Sequence, residues 1–279
     1  MLKIGINIDI IKIMKPIVKW AGGKTQLLNT LMDMIPEEFN TYYEPFFGGG
    51  ALFFKLEPEN AVINDNNIQL MNLYTCIRDD SEKLITKLKV LQKSHLKIDD
   101  YYNIVRNRFN KCIVNKELSY KSASMLIYLN KAGYNGLFRT NSEGYYNVPT
   151  SGKKNLKLYD RKNFKEISEL LKNTKIYSKD FEKVCAKAQR GDFVFFDSPY
   201  YNTFDTYQAG GFTKEDHERL KKLFDNLSKK GVKCMLTNSN EKYIKNLYNK
   251  YNITIVEVKR MINCDGNKRT GKEVIITNY

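Results

Sequence analysis

The stretch "DFVFFDSPYY" (192–201) places a carboxylate, a hydroxyl, a proline and two tyrosines directly after a run of apolar residues. The run is typical of a buried strand, so Asp197 is predicted at the tip of that strand. A carboxylate and a following backbone carbonyl, held extended by the next proline, can accept both N–H bonds of a planar amino group. A tyrosine ring beside them can stack on the heterocycle that carries this group. The predicted catalytic residues are Asp197, Ser198, Pro199 and Tyr200.

A second candidate is "YYEPFFGGGALFFKL" (43–57), in which a strand breaks into three glycines and continues as an apolar helix. Glycines at such a turn let the backbone approach a nucleotide-like ligand, although a purely structural turn has the same pattern. Asp65 ends the next strand, where it can accept hydrogen bonds from ribose hydroxyls. The segment "AGGKT" (21–25) lacks the strand and the first glycine of a P-loop. The predicted ligand therefore contains adenosine without a phosphate chain.

The tripeptide "KDF" (179–181) ends another predicted strand. The carboxylate of Asp180 can accept from the exocyclic amine of a purine, and the ring of Phe181 can pack on its face. Open α/β sheets bind ligands at the carboxyl ends of their strands. We therefore expect the glycine turn, Asp65, Asp180 and Asp197 to lie at one edge of a sheet.

The elements that would position these residues are seven short β-branched or aromatic runs, separated in several places by helical patterns. This alternation predicts an α/β fold with a mostly parallel sheet. One helix is predicted in detail, with Thr213 and Asp216 at its start and Gly231 at its end. The predicted strands are residues 41–46, 61–65, 174–181, 192–197, 232–238, 253–258 and 273–279.

Residues 81–165 differ from both flanks, because they show helical patterns at 81–93 and 118–131 and no strand rhythm. Residues 131–165 contain eight basic and two acidic side chains, interleaved with aromatic residues and glycines. A nucleic-acid surface has this composition, and a solvated charged face is the alternative. The predicted domains are an N-terminal extension (1–15), a catalytic core (16–80 and 166–279) and a helical target-recognition insertion (81–165).

The composition favours a polyanionic partner, because 46 Lys+Arg against 31 Asp+Glu give the 279-residue chain a charge of +15. A Lys-rich solvated surface is again the alternative. Five scattered cysteines without a C-x-x-C pair predict reduced thiols in a cytoplasmic protein. With two histidines, we expect no metal site. The opening fifteen residues are too short and too charged for a signal peptide or a membrane span.

Seven segments, in the same order along the chain, resemble those of the D12-class DNA adenine N6-methyltransferases, in particular the Dam-like enzymes that act on GATC. The resemblance covers roughly residues 16–279. It implies a Rossmann-like, S-adenosylmethionine-dependent methyltransferase core with a mostly helical target-recognition insertion. The segments are "KWAGGK" (19–24), "EPFFGGGALFF" (44–54), "INDNN" (63–67), "YNGLFRTNSEGYYNVP" (134–149), "DFEK" (180–183), "GDFVFFDSPY" (191–200) and "RTGKEVIITNY" (269–279).

The resemblance also implies roles for individual residues. An adenine flipped out of double-stranded DNA would stack on Tyr200, and its amino nitrogen would attack the sulfonium methyl group directly. Arg139 would contact a base through two hydrogen bonds, and Tyr134 or Leu137 would wedge into the base stack. The implied cofactor-binding residues are Trp20, Lys24, Phe46, Gly48, Gly50, Asp65, Asp180, Phe181 and Asp197. The implied DNA contacts are Lys19, Tyr134, Asn135, Leu137, Arg139 and Pro149.

Two segments depart from the family pattern. Ser198 stands where the family commonly has proline, although its backbone carbonyl can still accept a hydrogen bond, so a working site is expected. The segment "TSGKKN" (150–155), which directly follows the recognition loop 134–149, also differs from the family pattern. This difference weakens the GATC assignment. The alternatives are methylation of another amino group (cytosine N4, an RNA base or a protein glutamine) and a decayed homologue that only binds DNA. We expect a monomer, and partnership with a restriction endonuclease is left open.

Overall fold

The computed structural model describes residues 14–24, 26–202, 211–259 and 270–279. Within these ranges seven strands form one sheet: Tyr42–Glu44 (β1), Ala61–Asn64 (β2), Thr174–Tyr177 (β3), Phe193–Phe196 (β4), Lys233–Ser239 (β5), Asn252–Lys259 (β6) and Thr270–Thr277 (β7). Their order across the sheet is β3-β2-β1-β4-β5-β7-β6. The first five strands run parallel, and β7 lies antiparallel between β5 and β6. The predicted mostly parallel α/β sheet is confirmed.

All seven predicted strands are present, but four of them are shorter than expected, β1 and β3 by the most. β1 ends at Glu44 because the next residue is a proline, which has no N–H for the ladder. The predicted strand 174–181 ends at Tyr177. Beyond it, the side chain of Asn64 accepts from the backbone N–H of Lys179 (2.8 Å) and donates to its carbonyl (3.0 Å). These two bonds replace the next ladder position, so the expectation that this strand reaches residue 181 is wrong.

Both faces of the sheet are covered. In β4, Phe193 and Phe195 pack into one hydrophobic cluster, and Val194 and Phe196 pack into the other. Because successive side chains of a strand point to opposite faces, a continuous apolar run is what a strand buried on both sides requires. β4 therefore forms part of the centre of a three-layer structure.

Nine α-helices flank the sheet in the described ranges: Leu28–Asp33 (α1), Ala51–Leu56 (α2), Ile68–His95 (α3), Tyr101–Val114 (α4), Tyr120–Ala132 (α5), Arg161–Leu171 (α6), Phe181–Cys185 (α7), Lys214–Lys229 (α8) and Lys242–Leu247 (α9). The first six contribute side chains to the cluster of Phe193 and Phe195. The last three contribute to the cluster on the opposite face. The sheet is thus a middle layer between two helical layers.

The predicted ends of α8 are confirmed. Thr213 Oγ1 accepts from the backbone N–H of Asp216 (3.2 Å), and Asp216 Oδ2 accepts from the backbone N–H of Thr213 (3.0 Å). Gly231 follows the helix with φ +78°, a left-handed conformation that glycine adopts without strain. The capping box thus fixes the start of α8, and Gly231 lies just beyond its end.

Residues 81–165 contain the two predicted helical segments, in α3 and α5, the start of α6, and one complete helix that was not predicted, α4. α3 is interrupted at Asp80, whose backbone is extended (φ −162°, ψ 87°) and whose Oδ1 accepts from the N–H of Lys83 (2.9 Å). The three-part division of the chain stays a prediction. Of the predicted extension 1–15, residues 1–13 lie outside the described ranges, and Lys15 is hydrogen-bonded through its backbone to Asn163 on α6.

Candidate active site

The carboxylate of Asp197 lies one residue beyond the end of β4, in a central position of the sheet. Its Oδ1 accepts from Thr237 Oγ1 on β5 and pairs with Lys24 Nζ, both at 2.7 Å. The Lys24 side chain is only 8% exposed, and its ammonium also donates to the Gly22 carbonyl (2.6 Å). The same ammonium lies 4.7 Å from the centre of the Tyr200 ring. A buried lysine requires such partners, so these contacts hold the Asp197 carboxylate in one orientation.

A cavity of about 800 Å³ opens at this edge of the sheet. Its volume lies within the range of small-molecule sites in proteins. Further lining residues, which sequence reasoning did not propose, include Glu44, Phe138, Phe212 and Glu273. Ten of the predicted catalytic and cofactor residues line it: Trp20, Lys24, Phe46, Gly48, Gly50, Asp65, Asp197, Ser198, Pro199 and Tyr200.

The glycine turn is held by Asp65 at the tip of β2. Oδ2 of Asp65 accepts from the backbone N–H of Gly48, and Oδ1 accepts from the backbone N–H of Asn67, both at 2.9 Å. Burial raises the pKa of the Asp65 carboxyl, and these two N–H donors oppose that rise. Gly48 and Gly50 have φ values of +50° and +67°. The turn therefore depends on glycine and on the carboxylate that anchors it.

Trp20 joins the cavity to the segment 134–149. Its ring stacks on Phe138 with centroids 5.1 Å apart and an interplanar angle of 24°. A Cβ added to Gly48 would lie 2.8 Å from Cδ1 of Trp20, so the indole rests directly on the glycine turn. One aromatic ring thus contacts both the glycine turn and the segment predicted to contact DNA.

Tyr200 is anchored at its phenol. Its hydroxyl donates to Oε2 of Glu273 on β7 at 2.7 Å. Burial, together with the negative charges of Asp197 and Glu273, raises the pKa of Tyr200 well above its usual value. The hydroxyl therefore stays protonated and fixes the plane of the ring beside Asp197.

Asp180 and Phe181 are not among the described residues that line the cavity. Asp180 caps the start of α7, where its Oδ1 accepts from the backbone N–H of Glu182 (3.0 Å), and its Oδ2 pairs with Arg219 (2.7 Å). Phe181 is buried behind Phe46, with ring centroids 5.3 Å apart. Phe181 therefore lies behind an aromatic residue of the cavity wall, whereas Asp180 is partly exposed.

The residues predicted to contact DNA lie in the loop 134–149 and in the segment before Trp20. Tyr134 and Asn135 are exposed in a short 3-10 turn, in which Asn135 has φ +53°. The guanidinium of Arg139 is exposed and donates through Nε to Asn147 Oδ1 (2.8 Å). Leu137 is half-buried. The backbone carbonyl of the exposed Pro149 accepts from the N–H of Tyr134 (2.9 Å).

Lys19 belongs to the same surface. Its exposed side chain crosses Gly136 so closely that a Cβ there would lie 2.8 Å from Cδ of Lys19. The buried side chain of Asn130 accepts from the Lys19 N–H (2.9 Å) and donates to the carbonyls of Lys19 (2.9 Å) and Gly136 (2.7 Å). A single amide thus joins the segment before Trp20 to the predicted recognition loop.

The described part of the chain contains no group of three or more His, Cys, Asp or Glu side chains that could hold a metal ion. Four cysteines, Cys76, Cys112, Cys185 and Cys234, are buried free thiols, and Cys264 lies outside the described residues. Burial lowers the pKa of His217 to about 4, so this histidine is neutral. Among the described helices, none has the length and apolar character that a membrane crossing requires.

Comparison with protein families shows the family of the chain. Residues 20–262 match the family of D12 class N6 adenine-specific DNA methyltransferases. The chain belongs to this family. It is 41% identical to the type II methyltransferase M1.LlaDCHI of Lactococcus lactis subsp. cremoris, over 95% of this chain and 96% of that protein. It is 40% identical to the type II methyltransferase M.MjaIII of Methanocaldococcus jannaschii (95% and 99%) and 25% identical to the DNA adenine methylase of Escherichia coli strain K12 (94% and 94%).

The methyltransferase contains site residues that sequence reasoning missed. Thr237 and Glu273 sit inside strands whose apolar patterns gave no reason to single them out. Glu44 ends β1 just before the glycine turn, and its Oε2 accepts from the Tyr42 hydroxyl (2.7 Å). Burial raises the pKa of Glu44 well above its usual value. The proline that follows Glu44 was a usable signal, because it ends the strand there and places this acid at a strand tip, as with Asp65 and Asp197.

We expect Ser198→Ala to retain methyl transfer within about twofold of the wild type. Ser198 Oγ is buried and has no hydrogen-bond partner among the described residues. Removing an unpaired buried hydroxyl loses no hydrogen bond, so the free energy of unfolding should stay equal or rise by about 1 kcal/mol. Initial rates and thermal denaturation measure the two effects, and Ser198→Pro should likewise keep or raise activity.

Thr237→Val is the matched control for Ser198→Ala, since it removes a hydroxyl that does contact Asp197. This control should lose roughly tenfold in rate, because one hydrogen bond to a charged group is lost. A loss of more than tenfold in Ser198→Ala would contradict the prediction and would give the Ser198 hydroxyl a role in the reaction.

Proposed function

We propose that this adenine-specific DNA methyltransferase uses S-adenosylmethionine as the methyl donor and modifies adenine within the sequence GATC. The observation that carries the proposal is the convergence of the Asp197 carboxylate and the glycine turn on one cavity. Each half of the reaction needs its own surface, one for an adenosine-containing donor and one for a planar amino group. The glycine turn and Asp197 both line this single cavity, at the carboxyl ends of parallel strands, which supports the proposal.

The cavity residues fit S-adenosylmethionine. Gly48 and Gly50 keep the turn free of side chains, and Cβ atoms there would lie 2.8 Å from Trp20 and 2.4 Å from Phe47. The lining combines these bare backbone positions with aromatic rings and carboxylates, as a nucleoside carrying charged groups requires. When bound, this cofactor supplies an electrophilic methyl group on a sulfonium. The residues that we propose to hold it are Trp20, Lys24, Phe46, Gly48, Gly50, Asp65, Asp180, Phe181 and Asp197.

The target amino group is proposed to bind between Asp197 and the backbone carbonyl of Ser198. Lys24 and Thr237 both contact Oδ1 of Asp197, so we assign Oδ2 to one N–H of the amino group. The Ser198 carbonyl accepts the other N–H, and Tyr200 supports the flipped adenine by stacking. With both hydrogens engaged, the nitrogen lone pair points along one direction. Catalysis then rests on positioning and exclusion of water, without an enzyme nucleophile.

For DNA recognition we propose the surface of Lys19, Tyr134, Asn135, Leu137, Arg139 and Pro149. Tyr134 is 55% exposed, an unusual state for a large ring, and this supports its use as a wedge between bases. Arg139 carries a planar guanidinium with several donors, which suits the O6 and N7 acceptors of guanine. The charge of +15 supports binding to the phosphate backbone. The GATC assignment rests on the resemblance of the segment 134–149 to Dam-like enzymes.

Expression in a host that lacks adenine methylation tests the proposed target sequence. We expect N6-methyladenine in nearly every GATC site of the host DNA and in no other sequence context. Single-molecule sequencing of the genome provides the measurement, and cells that express Asp197→Ala serve as the matched control. N6-methyladenine confined to a different sequence would overturn the GATC assignment and leave the rest of the proposal intact.

A further inference from the structure

Arg219 on α8 contacts three carboxylates at once. Its Nη2 lies 2.7 Å from Oδ2 of Asp180 and 2.8 Å from Oε2 of Glu182, and its Nη1 lies 2.9 Å from Oδ1 of Asp216. The guanidinium carbon also lies 4.9 Å from the centre of the Phe181 ring. A planar guanidinium with fixed donors is suited to bridging several acceptors, which a lysine ammonium cannot do in the same geometry.

Two of these carboxylates cap the starts of helices. Asp180 caps α7, where its Oδ1 accepts from the backbone N–H of Glu182. Asp216 forms the capping box at the start of α8 together with Thr213. Arg219 therefore connects the first turns of two helices that lie on the same face of the sheet. Neither helix start can move without breaking a contact to this one side chain.

The two helix starts support the same wall of the cavity. Phe212 precedes Thr213 in sequence and lines the cavity with Phe46. The ring centroids of Phe46 and Phe212 are 5.8 Å apart, and the ring of Phe181 lies 6.1 Å from Phe212. Phe181 thus fills the space between this aromatic pair and the guanidinium. A displacement of Arg219 would therefore shift both Phe181 and the capping box, and these support the wall of the cavity.

We propose that Arg219 is a positioning residue for the adenine end of the cofactor site, and that it acts by orienting Asp180. The proposal rests on the proposed use of S-adenosylmethionine and on the role proposed for Asp180 there. Arg219 holds Oδ2 of Asp180 and the Glu182 N–H holds Oδ1, so the carboxylate plane is fixed. Each oxygen retains a second lone pair, and one of these accepts from the exocyclic amino group of adenine. Arg219 itself does not contact the cofactor.

The test compares binding of S-adenosylhomocysteine with binding of S-inosylhomocysteine by isothermal titration calorimetry. The inosine form carries a carbonyl where adenine has its amino group, so its C6 substituent cannot donate to Asp180. We expect the wild-type protein to bind the adenosine form at least about tenfold more tightly, since a donor is replaced by an acceptor facing a carboxylate. Arg219→Met keeps the length of the side chain and removes its donors. In this variant we expect the ratio of the two affinities to fall to within about twofold of unity.

Two further variants make the comparison specific. Arg219→Lys keeps the charge but not the planar fork, so its ratio should be intermediate. This variant also provides the measurement if Arg219→Met does not fold, which thermal denaturation reveals. Lys222→Met removes a charge from the exposed side of the same helix and should keep the wild-type ratio. The affinity of all variants for DNA should stay within about twofold of the wild type.

The outcomes separate the inference from the proposed function. A wild-type protein that binds neither compound contradicts the proposed cofactor, and with it the role of Arg219. Equal binding of both compounds by the wild type contradicts the role of Asp180. A wild-type ratio that persists in Arg219→Met and Arg219→Lys overturns the inference about Arg219 alone. Tighter binding of the adenosine form by Arg219→Met also overturns it, because Arg219 would then occupy the adenine site.

Discussion

Replacing Asp197 with alanine is expected to lower the rate of methyl transfer by at least about a thousandfold. The carboxylate is the proposed acceptor for one N–H of the target amino group, and without it the nitrogen lone pair is no longer directed. Losses of this size are typical when a preorganised group at the reacting atom is removed. Single-turnover transfer of a labelled methyl group to duplex DNA measures the effect without interference from product release.

The same substitution leaves the buried ammonium of Lys24 without its carboxylate. Breaking one side of a buried pair costs about 3–5 kcal/mol, so Asp197→Ala should also be less stable. Asp197→Asn is the better matched variant, because it keeps the shape of the side chain and one acceptor oxygen. It should remain folded and bind DNA as the wild type does, while transferring methyl groups at roughly a hundredth of the rate. If Asp197→Ala were folded and fully active, the proposed role of this carboxylate would be wrong.

The second large effect is expected in the glycine turn, where Gly50→Ala should lower the free energy of unfolding by about 2–5 kcal/mol. Two terms contribute. The left-handed φ of +67° costs a non-glycine residue about 1–2 kcal/mol. The new Cβ would lie 2.4 Å from Cζ of Phe47, a ring that is buried, and such overpacking costs typically about 1–3 kcal/mol. Chemical denaturation measures the change.

The neighbouring Gly49 provides the control. A Cβ there would meet Cβ of Trp20 at 3.4 Å, an ordinary contact, and the φ of Gly49 lies outside the left-handed region. Gly49→Ala should therefore change the free energy of unfolding by no more than about 0.5 kcal/mol. Equal effects of the two substitutions would show that the conformation of the turn is not what makes glycine necessary at position 50.

The sequence predicts the sheet and the acids at its edge because both follow from local patterns. Continuous apolar runs mark strands that are covered on both faces, and an acid that ends such a run must lie at the strand tip. Asp65 and Asp197 were found in this way. Helix α4 was missed because its buried positions are mostly aromatic or β-branched, residue types with weak helix propensity.

The rest of the site depends on contacts between distant parts of the chain. Lys24 lies far from Asp197 in the sequence, and only the family resemblance indicated that it belongs to the site. The hydroxyl of Thr237 on β5 contacts Asp197, which follows the neighbouring strand β4. Glu273 on β7 accepts from the hydroxyl of Tyr200. Arg219 belongs to a helix that the sequence describes correctly as a sheet-covering element. Its second role follows from the helix starts that it joins, and these come together only in the folded protein.

Several hydrogen bonds fasten the predicted recognition loop, residues 134–149, through its main-chain atoms. Asn130 donates to the carbonyl of Gly136, and the N–H of Tyr134 donates to the carbonyl of Pro149. The buried hydroxyls of Tyr102 and Tyr146 donate to the carbonyls of Val148 and Leu137. None of these bonds uses an outward-facing side chain of the loop. Libraries that vary only exposed side chains therefore leave these main-chain bonds intact, which makes this loop a suitable starting point for engineering methyltransferases with altered target sequences.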